Sequence, residues 1–220
     1  MLYPINEIFY SIQGEGALVG TPAHFIRFAG CNLKCSWCDT DFSRKMDLSE
    51  HDIMDILNNI RTSSDLVVLT GGEPCMYELA PLTGCLVRDG YRIQIETNGT
   101  LLSRIPNEVD WITVSPKPDF NYKRLDRKKI PRVSGYIMPW PDHRPPPILI
   151  GDEIKIVMYH GCNPNRYKNP TRINDFVFRY WFVQPCSQDG HMNLDSTIKF
   201  VKENPTWRLS LQTQKFIGIK

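Results

Sequence analysis

Short apolar runs, each closed by a turn carrying polar residues or glycine, recur along the chain and set its expected framework. The first, Ala23–Gly30 (AHFIRFAG), leads straight into a cluster of cysteines. Leu66–Pro74, Tyr91–Gly99, Trp111–Lys117, Glu153–Tyr159, Tyr180–Pro185 and Trp207–Thr213 follow it. Cores such as VVL and IKIV are near-continuously apolar, as expected of strands buried on both faces of a parallel sheet. Between some of these runs the period changes to that of a helix. Ser49 can cap a helix whose apolar positions Ile53, Ile56, Leu57 and Ile60 share one face. Asn193 can cap another, with Leu194, Ile198 and Val201 at helical spacing. Strands alternating with helices predict right-handed βαβ units, and so an α/β fold of mainly parallel strands. Such a sheet stays open or curls into a partial, cut-down TIM-like barrel. Ligands bind such sheets at the carboxyl ends of the strands, where the polar turns of this chain fall.

One segment breaks the rhythm. Residues 118–152, from Pro118 to Asp152, are dense in proline and, in their first half, in lysine and arginine. Proline removes a backbone donor and resists helix and central strand, so the segment reads as an insertion or long surface loop in a single domain spanning 1–220. Its KRLDRKK stretch reads as a solvated basic loop. The net charge of +2 gives no general reason to expect nucleic acid or an anionic membrane as partner. No apolar run approaches the ~20 residues of a membrane span, and the N-terminal MLYPINEIFYSIQGEG has no signal-peptide pattern. Seven cysteines, three of them clustered, do not pair into a secreted disulfide framework, so a reducing cytoplasm is expected. Of the four scattered ones, Cys85 and Cys162 read as small core residues, whereas Cys75 and Cys186 fall in turns that carry candidate site residues.

The clustered cysteines carry the chemistry. Cys31, Cys35 and Cys38 are spaced C-x3-C-x2-C in the run CNLKCSWCDT. A closed zinc site takes four protein ligands, and so does a simple electron-transfer iron–sulfur cluster. No fourth cysteine or histidine lies in the local run, which favours a four-iron cluster with one iron open to a cofactor. A zinc knuckle borrowing a distant ligand is the alternative. Further on, Gly71-Gly72-Glu73-Pro74 closes an apolar run. Two glycines let the backbone approach a ligand without a Cβ in the way, and Glu73 offers a carboxylate suited to an ammonium group.

With the cysteine loop after one strand and the GGE turn after the next, the chain resembles the radical S-adenosylmethionine (SAM) superfamily. That resemblance implies a [4Fe-4S] cluster on Cys31, Cys35 and Cys38, with SAM chelating the open iron. It also implies that Gly72 and Glu73 face the SAM amino group, and that Trp37, Cys38 and Asp39 border its adenine. Ser115, Pro116 and Lys117 would meet the ribose and carboxylate, and Gln184, Pro185, Cys186 and Ser187 would close over the adenine.

Ser11–Gly16 (SIQGEG), Arg27, CDT ending at Thr40, TGGEP, Glu96–Gly99 (ETNG), Ser115–Lys117 (SPK), Gln184-Pro185 and the terminal LQTQKFIGIK are together similar to the 7-carboxy-7-deazaguanine synthases. The likeness runs over nearly the whole chain outside the insertion. It implies a homodimer that contracts the ring of 6-carboxy-5,6,7,8-tetrahydropterin, a small pterin, to 7-carboxy-7-deazaguanine with loss of ammonia. A flavodoxin- or ferredoxin-type electron donor would serve the cluster. Arg27 would meet the substrate carboxylate, the Ile12-Gln13-Gly14 backbone the edge of the heterocycle, and Thr70 a further polar group. Thr40 would ligate Mg²⁺ through its hydroxyl, a hard oxygen donor. Gln214 and the chain end at Lys220 would also reach the substrate. Family members often carry histidine where this chain has Gln214; glutamine keeps hydrogen-bonding capacity but does not titrate near neutrality. Two rivals remain: a glycyl-radical activase acting on a protein, and a non-enzymatic iron–sulfur or zinc module.

Overall fold

The computed structural model describes residues 1–60, 62–117, 149–159, 177–188 and 191–220. Most of the proline-rich insertion, including KRLDRKK, and Cys162 lie outside these residues. The strands are β1 (Leu2–Ile12), β2 (Pro22–Phe28), β3 (Met46–Ser49), β4 (Leu66–Gly71), β5 (Arg92–Thr97), β6 (Trp111–Val114), β7 (Leu149–Met158), β8 (Val177–Pro185), β9 (Ser187–Gln188), β10 (His191–Met192) and β11 (Arg208–Leu209). The helices are α1 (Glu50–Asn59), α2 (Ala80–Arg88), α3 (Leu194–Glu203) and α4 (Thr213–Ile217).

Among the described residues, nine strands form one open sheet in the order β11-β8-β7-β6-β5-β4-β2-β1-β3. From β2 to β11 every neighbouring pair is parallel, and β1 runs antiparallel to both β2 and β3. The architecture is the expected α/β partial barrel of mainly parallel strands. Four details differ from the sequence reading. β1 has 11 residues and went unanticipated because Pro4, Asn6 and Glu7 break its apolar pattern. α2 begins with a proline in its first turn, where the missing N–H costs nothing, and Gly84 hides its periodicity. β7 starts at Leu149, so the insertion ends before Asp152. The run from Trp207 to Thr213 contributes only Arg208–Leu209 to the sheet, because the chain then turns into α4.

The two faces of the sheet differ in chemistry. α1 and α2 bury Ile53, Leu57, Leu82 and Leu86 in one cluster with Ile26, Val67, Leu69, Ile93, Ile95, Ile112, Ile154 and Ile156. β4 is buried on both faces, as its VVL core predicts, since Leu66 and Val68 join a second cluster with Ala23 and Phe25. β5, β6 and β7 instead alternate. Gln94, Thr113, Glu153 and Lys155 are buried between the apolar residues on the other side. The IKIV run is therefore not doubly apolar. Successive side chains of a strand point to opposite faces, and here one face opens onto a polar cavity.

Ser49 caps α1 as expected: its hydroxyl accepts from the Asp52 N–H at 3.2 Å, and the Asp52 carboxylate accepts from the Ser49 N–H at 2.8 Å. This reciprocal pair contributes about 1 kcal/mol. Asn193 stands at the start of α3, but its side chain makes no cap bond. Its Oδ1 accepts from the Cys186 N–H at 2.9 Å, and its Nδ2 donates to the Met158 carbonyl. Asn193 thus clips the ends of β7 and β8 together.

Candidate active site

The site is built where the parallel strands end. After β2 the chain turns at Gly30, whose φ of +76° is a left-handed conformation that suits glycine. The Gly72 N–H donates to the Phe28 carbonyl at 3.1 Å, and the Glu73 N–H to the Gly30 carbonyl at 3.0 Å. The GGE turn therefore lies directly against the root of the cysteine loop.

Glu73 is fully buried, and its carboxylate does not line the cavity. It accepts from the Cys75 N–H at 3.0 Å, the Thr97 hydroxyl at 2.7 Å and the Asn98 N–H at 2.7 Å. Burial raises its pKa, against the pull of these donors. A carboxylate so engaged ties the end of β4 to the end of β5. The sequence reading had offered it to an ammonium group; the Gly71 and Gly72 backbone borders the cavity in its place.

The cavity has a volume of about 430 Å³ and is bordered on one side by Cys31, Cys35, Trp37, Cys38, Asp39 and Thr40. None of these three cysteines is in a disulfide. No trio of His, Cys, Asp or Glu side chains among the described residues converges on a single metal-ion position. Ligands to three separate corners of a four-iron cluster do not have to converge, so three soft donors around one cavity fit that group. Trp37 stacks on Tyr159 with ring centroids 5.5 Å apart and planes 6° apart. The Lys117 ammonium lies 5.1 Å from the centre of the Trp37 ring and donates to the Ser115 hydroxyl at 2.9 Å. Burial lowers the Lys117 pKa, although the cysteine sulfurs work against it. Gln184 reaches the cavity, whereas Pro116, Pro185 and Cys186 do not line it. The Ser187 side chain lies outside the described residues.

The opposite side of the cavity is a hydrogen-bonded floor. Gln13 Nε2 donates to Gln94 at 3.0 Å and to Glu96 at 3.1 Å, and the Thr70 hydroxyl donates to Glu96 at 2.8 Å. Gln94 donates to the Thr113 hydroxyl at 3.1 Å, which donates to Glu153 at 2.9 Å. Lys155 is paired with Glu15, whose other oxygen accepts from Gln212 at 2.9 Å and Gln214 at 3.3 Å. Burial pushes the Glu15 pKa up, and the Lys155 ammonium more than reverses it. The Gln13 main chain is engaged in the β1–β2 turn, with its N–H on Thr21 at 2.7 Å and its C=O accepting from Gly20 at 2.8 Å. Its side chain, rather than its backbone, therefore joins the floor. Ile12 and Gly14 also line the cavity, and the Gly14 carbonyl accepts from the Thr213 N–H at 3.0 Å.

Arg27 borders the same cavity and donates through Nε to Glu7 at 2.9 Å. Lys220 pairs with the other Glu7 oxygen at 2.5 Å, and its main-chain oxygen accepts from the Ser11 hydroxyl at 2.6 Å. Asp39 accepts from Lys215 at 2.5 Å and Gln212 at 3.2 Å. The C-terminal segment thus bridges the floor and the cysteine loop. Glu7, Glu153 and Lys155 were not singled out from the sequence, and Glu15, Glu96 and Asn98 only as parts of the SIQGEG and ETNG motifs. A signal existed in the runs IQIET and EIKIV, where a polar residue occupies every second position of an apolar strand.

A family model describing the Radical SAM superfamily matches residues 25–129. The chain is 38% identical over 220 residues to the 7-carboxy-7-deazaguanine synthase of Bacteroides thetaiotaomicron, with 100% of both chains covered. It is 34% identical over 226 residues to the enzyme of that name from Haemophilus influenzae, covering 99% of this chain and 94% of the other. Among solved structures, it is similar to QueE from Escherichia coli with a TM-score of 0.67 and 29% identity, covering 96% of this chain and 94% of that one.

Proposed function

Because the chain belongs to the 7-carboxy-7-deazaguanine synthase family of radical SAM enzymes, we propose that it contracts the ring of 6-carboxy-5,6,7,8-tetrahydropterin to 7-carboxy-7-deazaguanine with loss of ammonia, in 7-deazapurine biosynthesis of the queuosine type. The observation that carries this reading is one cavity with two unlike sides. A three-thiol loop faces a polar floor of amide, hydroxyl and carboxylate groups. The first side suits a cluster and the second a flat, donor- and acceptor-rich heterocycle.

When bound, the cluster and SAM supply one-electron cleavage of SAM and a carbon radical that removes a hydrogen atom from the substrate. The chain's own residues bind and orient. Cys31, Cys35 and Cys38 would hold the cluster through their sulfurs. The Gly71-Gly72 backbone meets the SAM amino group, with Glu73 positioning that turn from behind. Ser115, Lys117 and Gln184 meet the rest of SAM. Trp37, stacked on Tyr159, borders that end of the cavity.

On the other side, Arg27 faces the substrate carboxylate, and its Nε bond to Glu7 fixes the guanidinium plane. Thr40, which lines the cavity beside Arg27, would hold Mg²⁺ through its hydroxyl, a hard oxygen donor. Thr70 and Glu96 accept from the donor edge of the pterin, and the Gln13 amide, held between Gln94 and Glu96, sets the floor against which it lies. Gln214 and Lys220 close the far side. The proposal includes a homodimer, a flavodoxin- or ferredoxin-type electron donor and a cytoplasmic setting. No helix among the described residues is long and apolar enough to cross a membrane.

The test is anaerobic reconstitution of the cluster, followed by SAM, a low-potential reductant, Mg²⁺ and 6-carboxytetrahydropterin, with products identified by mass spectrometry. Formation of 7-carboxy-7-deazaguanine is the expected result. Formation of 5′-deoxyadenosine without that product would overturn the substrate and leave the superfamily assignment standing.

A further inference from the structure

We infer that Asn98 is a tuning residue for the iron–sulfur centre, acting through an amide N–H directed at the Cys31 sulfur. The inference rests on the reading of Cys31, Cys35 and Cys38 as cluster ligands. Asn98 follows β5 and is 5% exposed. Its Oδ1 accepts from the Thr100 N–H at 2.9 Å. A main-chain N–H can only donate, so the amide has one orientation, and Nδ2 lies on the other side. There Nδ2 donates to Asn32 Oδ1 at 2.9 Å and reaches Cys31 Sγ at 4.0 Å. Asn32 is oriented in turn, because its Nδ2 donates to the Thr100 hydroxyl at 2.8 Å.

The anchor of this arrangement is Glu73, which accepts from the Asn98 main-chain N–H at 2.7 Å. The buried carboxylate holds the turn, and the turn aims the amide. Cys31 Sγ also accepts from the Leu33 N–H at 3.4 Å. Two N–H groups therefore address this sulfur, whereas Cys38 Sγ lies 4.0 Å from a carbonyl oxygen, that of Thr40. N–H donors to a ligating sulfur stabilise negative charge on it, and hydrogen bonds of this kind help set cluster potentials. Reduction adds one electron, taken from a low-potential donor of the dithionite or flavodoxin class, and breaks no bond. The Asn98 dipole favours the reduced state, so the amide raises the midpoint potential and makes the cluster easier to reduce.

The experiment compares the parent protein with Asn98→Ala and Asn98→Asp, each reconstituted to the same iron and sulfide content. Each is titrated with dithionite, with the reduced cluster followed by electron paramagnetic resonance. A more negative midpoint is expected for Asn98→Ala. Asn98→Asp should lie lower still, since it keeps the acceptor for Thr100 and turns an anionic oxygen to the sulfur. Unchanged midpoints in both variants at full occupancy would overturn the inference while leaving the family reading intact. If the alanine and aspartate variants hold no cluster, Asn98→Ser decides, because a serine hydroxyl can still accept from the Thr100 N–H but carries no amide N–H to the sulfur. A negative shift there supports the inference and an unmoved midpoint overturns it. A parent protein that takes up no four-iron cluster overturns both.

Discussion

Gly72 lies so close to Gly30 that a Cβ on it would come within 1.7 Å of the Gly30 carbonyl oxygen. The contact is backbone against backbone, so no side chain can move aside. It joins the turn after β4 to the root of the loop that carries all three clustered cysteines. Gly72→Ala is expected to displace that loop and to lower stability by at least the ~1–3 kcal/mol of an overpacked site. Thermal unfolding and iron content after reconstitution check this. A variant with both properties unchanged would show that the close approach is dispensable.

The ion pair of Glu15 with Lys155 gives a stability signature in pH. Lys155 attraction outweighs the burial of Glu15 and holds its carboxyl below the ordinary value of 4.5. Burial would lower the Lys155 pKa, and Glu15 and Glu96 instead carry it above the ordinary 10.5. A depressed carboxyl stabilises the fold above its unfolded pKa, and that contribution fades as pH falls through the lower folded pKa. A raised ammonium stabilises below its unfolded pKa, and its share fades as pH rises through the higher folded one. The pair therefore contributes across the range between 4.5 and 10.5. Denaturant melts from pH 3 to 7 should show a shallower acid limb for the double variant Glu15→Gln, Lys155→Met than for the parent.

The single variants of that pair should be worse than the double. Lys155→Met alone leaves a buried carboxylate uncompensated, a loss of about 3–5 kcal/mol. Removing both charges recovers most of this. A double-mutant cycle at pH 7 with no coupling between the two sites would refute the pairing.

Glu73 is expected to matter through stability. Glu73→Ala strips the acceptor from the Thr97 hydroxyl and from the Cys75 and Asn98 N–H groups, each costing about 1–3 kcal/mol when left buried and unpaired. Glu73→Gln, which puts a donor among donors, should fall between the alanine variant and the parent. Melting temperatures rank the three proteins. A Glu73→Ala protein as stable as the parent would assign the side chain some other task.

Tyr159→Ala removes the ring on which Trp37 stacks. Such contacts contribute about 0.5–1.5 kcal/mol, so closure of the cysteine loop should weaken by roughly 2- to 10-fold. Release of iron to a chelator should accelerate by that factor, while Tyr159→Phe, which keeps the ring, should stay near the parental rate.

Much of the site was legible because its chemistry is local. Three thiols in C-x3-C-x2-C and two glycines before Glu73 declare themselves without a fold, since spacing along a loop already limits what they can hold. The parallel α/β framework followed from the alternation of apolar runs with α1 and α3. β1 escaped because Asn6 and Glu7, which line the cavity, interrupt its apolar pattern, and its strand form shows only in the pairing with β2 and β3.

What the tertiary structure alone decided is the partner of each polar residue. Glu73 carries the same carboxylate in any reading. It became a structural anchor because folding brings Thr97 and Asn98, 24 and 25 positions away, within hydrogen-bond reach. Glu15 meets Lys155 across 140 positions, and Asn98 meets Cys31 across 67. Sequence order carries no information on such separations. They are set by the parallel stacking of strands, which gathers the strand ends around one cavity and obliges a buried carboxylate such as Glu73 or Glu15 to find hydrogen-bond donors there.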